Sequence, residues 1–222
     1  MAELALAISV FLASHLIPAI RPLRQRCIAL LGERPYLILY SLISLAALVW
    51  VISAFADAPY VDVWSPPPAL HGAALAAIAI AVFLVTTGLS SANPFSLGPG
   101  SRAFDPAKPG IVRLCKHPVL WGLLIWATSH LAVNGDLAAI LLFGLLALLS
   151  ASGPFLLDKK RKAARGDGAW QDLREQVGTV TIADALAQIG LWRLLVAAGL
   201  YLLLLYAHGP LIGVSPLAGL EI

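Results

Sequence analysis

The sequence predicts an all-α integral membrane protein of about six transmembrane helices, multi-pass in a bacterial inner membrane, with N and C termini on the periplasmic side. Three observations lead there. The 222 residues are 59% hydrophobic and only 12% charged, against roughly 25% charged in an average soluble domain. The apolar residues come in long runs, not in a strand-like or amphipathic alternation. All 15 Lys and Arg residues fall in alternate connections between those runs, the asymmetry that marks cytoplasmic loops.

The first run covers about residues 3–20. It opens Met1-Ala2-Glu3, without the basic stretch of a signal peptide, and continues past His15 with no small-residue cleavage site, so it reads as a retained helix. The second and third spans are about 36–55 and 70–90, each near the roughly 20 residues a crossing needs. The fourth, 118–133, is short and is joined to the fifth, 137–157, by Asn134-Gly135-Asp136. Asn-Gly turns readily and Asp136 is placed to cap the next helix, so these two spans form a hairpin. The sixth span is about 191–208.

The connections support the count. Cytoplasmic loops are expected at about 21–35, 91–117 and 158–190. The first holds Arg21, Arg24, Arg26 and Arg34; the second Arg102, Lys108, Arg113 and Lys116. The third holds the Lys159–Lys162 run, Arg165 and Arg174, and Arg193 opens the last span. The second loop is rich in Pro and Gly (Asn93-Pro94, Gly98-Pro99-Gly100, Pro109-Gly110) and excludes a long helix. Residues 158–178 read as a basic amphipathic helix on the anionic leaflet, with membrane lipids as partners. The net charge of +3 is thus a topology signal and not a nucleic-acid footprint. Cys27 and Cys115 sit beside basic, cytoplasmic segments, where no disulfide is expected. The whole of 1–222 reads as one transmembrane domain.

Ionisable residues inside a membrane are costly and mark function, and the five histidines are the notable set. Counting along each span gives depth. His15 lies about 8 Å from the inner end of the first span at 1.5 Å per residue, and His117 opens the fourth span at the same side. His71, His130 and His208 form an outer layer. His15 and His117, on different helices at similar depth, are the candidate axial pair for a haem iron. Cys115 offers an alternative thiolate if its basic neighbours lower its pKa. Arg21, Arg113 and Lys116 are near enough in depth to pair with propionates. The plainer roles are interfacial hydrogen bonding for His71 and helix termination for His208, ahead of Gly209-Pro210.

The segment Arg113-Leu114-Cys115-Lys116-His117-Pro118, the helix from Leu120 to His130, and Asn134-Gly135-Asp136 resemble the NnrU family. Further landmarks run in order: Ala13-Ser14-His15, Trp64-Ser65-Pro66-Pro67-Pro68, and His208-Gly209-Pro210. That family is linked by name to nitrite and nitric oxide reductase function in denitrifying bacteria. The same segment is similar to the 15-cis-zeta-carotene isomerases, whose pattern is Arg-x-Cys-Arg-His-Pro followed by a helix ending in Ala-His. Here Lys116 replaces an Arg, and His130 stands at the second position. The resemblance implies a haem b protein, with His15, His117 and Cys115 as iron ligands, His117 and Cys115 as catalytic residues and His130 as a cofactor-binding residue. The activity it implies is redox-gated cis-trans isomerisation of a lipid-soluble polyene. The alternative is a haem-bearing sensor or accessory factor in nitrite and nitric oxide metabolism. A looser resemblance of His117-Pro118 and Gly122 to isoprenylcysteine methyltransferases implies a membrane enzyme using S-adenosylmethionine. In it, Leu120-Trp121 stand where that family carries Tyr.

Overall fold

Helix formation follows the apolar runs. The computed structural model describes residues 1–98 and 103–218, and its named elements are helical. The part of the Pro/Gly-rich loop that holds Pro99, Gly100 and Arg102 lies outside the described residues, as do the last four residues. The chain divides into two compact units: Met1–Trp64 with Gly135–Leu142, and Ser65–Asn134 with Phe143–Ile222.

The first unit contains α1 (Ala2–Leu16), a 3-10 turn (Ile17–Ala19), α2 (Arg21–Leu31) and α3 (Glu33–Ala56). Pro18 sits in the 3-10 turn that ends α1 and cannot extend its hydrogen-bond ladder. The segment expected as a loop at 21–35 is largely helical. It is short and charged, but Leu, Arg, Gln and Ala are good helix formers. α1 packs on α3 through Leu4, Ala7, Val51 and Ala54, with Ala138 completing the cluster. Small alanines let the backbones approach closely, which favours association where lipid offers no hydrophobic contrast. The segment after α3 pairs with the start of α7 (Leu137–Arg165): Val63 and Trp64 donate to Gly135 O at 2.9 and 3.0 Å, and Leu137 donates to Val61 O at 2.9 Å. The predicted turn is present. Gly135 adopts φ 69°, and Asp136 Oδ1 accepts from Ala139 N at 3.0 Å as an N-cap.

The second unit contains α4 (Ala69–Leu89), α5 (Ile111–Leu114), α6 (Pro118–Asn134), most of α7, α8 (Asp167–Thr179), α9 (Ile182–Ile189) and α10 (Leu191–Ile212). α4 and α6 are the most intimate pair. A Cβ at Gly122 would stand 2.8 Å from Ala81 O, and one at Gly88 would stand 2.8 Å from Pro118. α10 joins α4, where Tyr201 donates to Leu75 O at 3.2 Å. Beyond the spans, Phe95, Ile111, Val112, Trp170, Val177 and Ile189 form a separate apolar core that anchors α5, α8 and α9. Thr181 caps α9 by accepting from Asp184 N at 3.1 Å.

Among the described residues, four helices are long and apolar enough to cross a membrane (α3, α4, α7 and α10), or five if α1 and α2 count as one broken span. α1 with 15 residues and α6 with 17 are shorter than that standard. The amphipathic segment expected from 158 is also different in detail: α7 runs on to Arg165, and α8 is a distinct helix after Gly166 at φ 87°. The spanning helices leave large apolar side chains exposed, such as Leu42, Leu45, Val49, Leu195, Leu203 and Leu204. Lipid, and not water, is the solvent that tolerates such faces.

Candidate functional site

In the second unit, Cys115 is extended at φ −144° and ψ 112°, and Pro118 opens α6 two residues after Lys116. Proline disfavours helix at the residue before it and suits the first helical turn. His117 therefore sits at a forced corner, with its carbonyl accepting from Trp121 N at 3.0 Å. Its side chain is 3% exposed, and Nε2 lies 3.0 Å from Asp158 Oδ1 on α7. A carboxylate only accepts, so Nε2 carries the proton and Nδ1 is left as a bare lone pair. Nδ1 is buried and has no partner. Lys116 pairs with the other oxygen of Asp158. Asn93, itself 2% exposed, binds the corner from the other side. Its Nδ2 donates to Lys116 O at 3.0 Å, while its Oδ1 accepts from Phe95 N and Ser96 N at 2.9 and 3.1 Å.

Burial pulls the His117 imidazole below its ordinary pKa, and the Asp158 carboxylate opposes that only in part. Burial also pushes the Cys115 thiol up. A backbone hydrogen bond at His117 opposes that only in part, so the direction is the reverse of the one expected from basic neighbours. Arg113 is committed in part, Nε donating to Val180 O at 2.8 Å.

The outer layer behaves differently. His130 on α6 and His208 on α10 have ring centres 6.4 Å apart and planes inclined by 28°. Phe143 stacks on His130 at 4.9 Å, and Trp126 stands 5.0 Å from it. His130 Nδ1 is 2.9 Å from Trp126 O, and His208 Nδ1 is 2.6 Å from Val214 O. A carbonyl needs a donor, so both rings carry the proton on Nδ1 and leave Nε2 free as a base. His15, in the first unit, is held in the same way, Nδ1 lying 2.8 Å from Phe11 O, beside Tyr40 with ring centres 6.2 Å apart. Arg21 is exposed at the start of α2 in that unit. His71 Nδ1 is buried without a partner. Cys27 and Cys115 are both free.

No group of three or more His, Cys, Asp or Glu suited to a metal ion occurs among the described residues. An axial pair for haem needs only two imidazoles, each presenting Nε2 with Nδ1 anchored. His130 and His208 meet that donor chemistry. His117 does not meet it as placed, because its Nε2 serves Asp158 and the free Nδ1 is crowded by the ring's own attachment to the backbone. Its pairing with His15 rests on the sequence alone.

Sequence reasoning grouped His130 with His208 by depth but read His208 as a helix end. It did not join Asn93 or Asp158 to His117. No curated protein and no solved structure matches the chain. The family model described as NnrU protein matches residues 3–216. With the match running from the first helix to the turn beyond the last, the chain belongs to the NnrU family.

Proposed function

We propose that this protein is a haem-b-binding inner-membrane protein in which His130 and His208 would hold the haem, acting as a redox-gated isomerase of a lipid-soluble polyene. The observation that carries the reading is the 6.4 Å separation of two rings whose Nδ1 atoms are both held by backbone carbonyls. Those carbonyls keep each Nε2 deprotonated and fix each ring's direction, which is what an axial ligand requires of its surroundings. Phe143, stacked on His130, shields one face of that imidazole from water. A haem held there supplies an iron whose affinity for a double bond changes with its redox state. The likeness of Arg113–Pro118 and His130 to the zeta-carotene isomerase pattern supports the same cofactor and a polyene as substrate.

The test is an absorption spectrum of protein purified from cells fed a haem precursor, oxidised and then dithionite-reduced. A Soret band and a sharp reduced α-band are expected, followed by turnover of a cis-polyene by the reduced protein only. Folded protein without a Soret band ends the haem reading. A haem spectrum with tight nitric oxide binding and no polyene turnover moves the function to a sensor in nitrogen-oxide metabolism.

A further inference from the structure

A second feature lies away from the outer histidines and is independent of the haem reading. A cavity of about 390 Å³ opens among the non-spanning elements of the second unit. Three cationic residues border it from three separate pieces of chain: Arg113 on α5, Lys116 in the corner before α6, and Arg174 on α8. Phe95, Val112 and Val177 give it an apolar wall, and among the described residues no carboxylate lines it. Lys116 is balanced by Asp158 from outside the lining, and Arg113 spends one N–H on Val180 O. Arg174 has no hydrogen bond or ion pair among the described residues.

Bringing three cations to one concavity costs repulsion, and here only one of the three is neutralised. Such an arrangement is stable when an anion completes it, and guanidinium groups match phosphate oxygens in geometry. The apolar wall comes from the separate core of α5, α8 and α9. Trp170, 5.0 Å from Phe95 and 5.8 Å from the Lys116 ammonium, packs the back of the same wall. We propose that this cavity binds a phosphate-bearing headgroup, with Arg174 as the chief free cation and Arg113 as its partner. An anionic phospholipid and a soluble phosphate compound share that chemistry, and the test separates them.

The full chain in neutral detergent is offered phosphatidylglycerol or phosphatidylcholine, and retained lipid is counted by native mass spectrometry. Inorganic phosphate is titrated separately, by phosphorus-31 line broadening, and as a competitor. Wild-type protein is expected to retain phosphatidylglycerol in preference to phosphatidylcholine, or to bind inorganic phosphate. Arg174→Gln should weaken that binding by about tenfold, the loss of one charge-assisted contact. Lys108→Gln, an exposed cation that does not line the cavity, should leave it unchanged. Retention that inorganic phosphate cannot displace identifies a lipid headgroup; displacement at low millimolar phosphate identifies a soluble ligand. Binding of neither probe overturns the proposal, as does equal binding by the Arg174→Gln and Lys108→Gln variants. Because Arg174 is exposed and packs in no core, the variant keeps its fold; an unchanged unfolding midpoint verifies this.

Discussion

The two histidine sites of the second unit differ in what holds their rings. His117 is gripped by side chains: Asp158 accepts a hydrogen bond from its Nε2–H, Lys116 shares that carboxylate, and Asn93 pins the adjoining backbone. His130 and His208 are gripped by backbone carbonyls and packed with aromatic rings, with no charged side chain among the described residues taking part. A web of side chains spends the imidazole's Nε2 on structure. A backbone anchor spends only the inner nitrogen and leaves the other for a ligand. In one helix, α6, the same residue type thus serves as a buried strut at its beginning and as a presented base near its far end.

The sharpest way to break this contrast is to remove each ring in turn. His208→Ala or His130→Ala should abolish most of the reduced α-band, whereas His117→Ala should leave haem occupancy nearly intact while lowering the unfolding midpoint. The opposite pattern would return the ligand role to His117.

A smaller effect probes the support common to both sites. Gly122 lies between them on α6, and an added Cβ would meet Ala81 O and Val85 at 2.8 Å each. Gly122→Ala should cost about 1–3 kcal/mol of stability through overpacking against backbone. It should weaken both sites together, read as a lower denaturation midpoint and reduced haem retention. Gly199→Ala, where a Cβ meets nothing within 4 Å, is the neutral comparison.

The smallest effect is one of pH. Burial favours neutral His117 in the folded chain, so the unfolded chain takes up a proton that the folded chain refuses below the ordinary value of 6.5. The stability from this group is therefore complete above 6.5 and declines as pH falls below it, toward the lowered folded value. The denaturation midpoint should fall between about pH 7.5 and 5.5, and fall less in His117→Asn. An equal slope in both proteins would mean that the ring carries no such linkage.

Much of the fold was legible because apolar run length is a direct physical requirement of spanning. α3, α4 and α10 begin and end within a few residues of the runs that predicted them. So was the Gly135–Asp136 turn, since positive φ and N-capping are local chemistry. α2 was missed because a charged stretch between apolar runs reads as loop whatever its helix propensity. For the sites, counting residues along a helix gives depth but not the direction a side chain faces around the axis. Depth grouped His130 with His208, 78 positions apart in the chain. It could not show that the two rings approach each other, nor that His117 turns toward Asp158.

The hydrogen bond from His208 to Val214 reaches past the end of α10, where Gly213 turns the chain back at φ 87°. The proton's position on that ring is therefore decided by residues that look dispensable. Cutting the chain at Gly213, or fusing a rigid tag there, would let the imidazole exchange between its two tautomers and rotate. A protein so trimmed would keep every histidine and still be a poorer base, so the placement of an affinity handle belongs among the variables of any ligand assay.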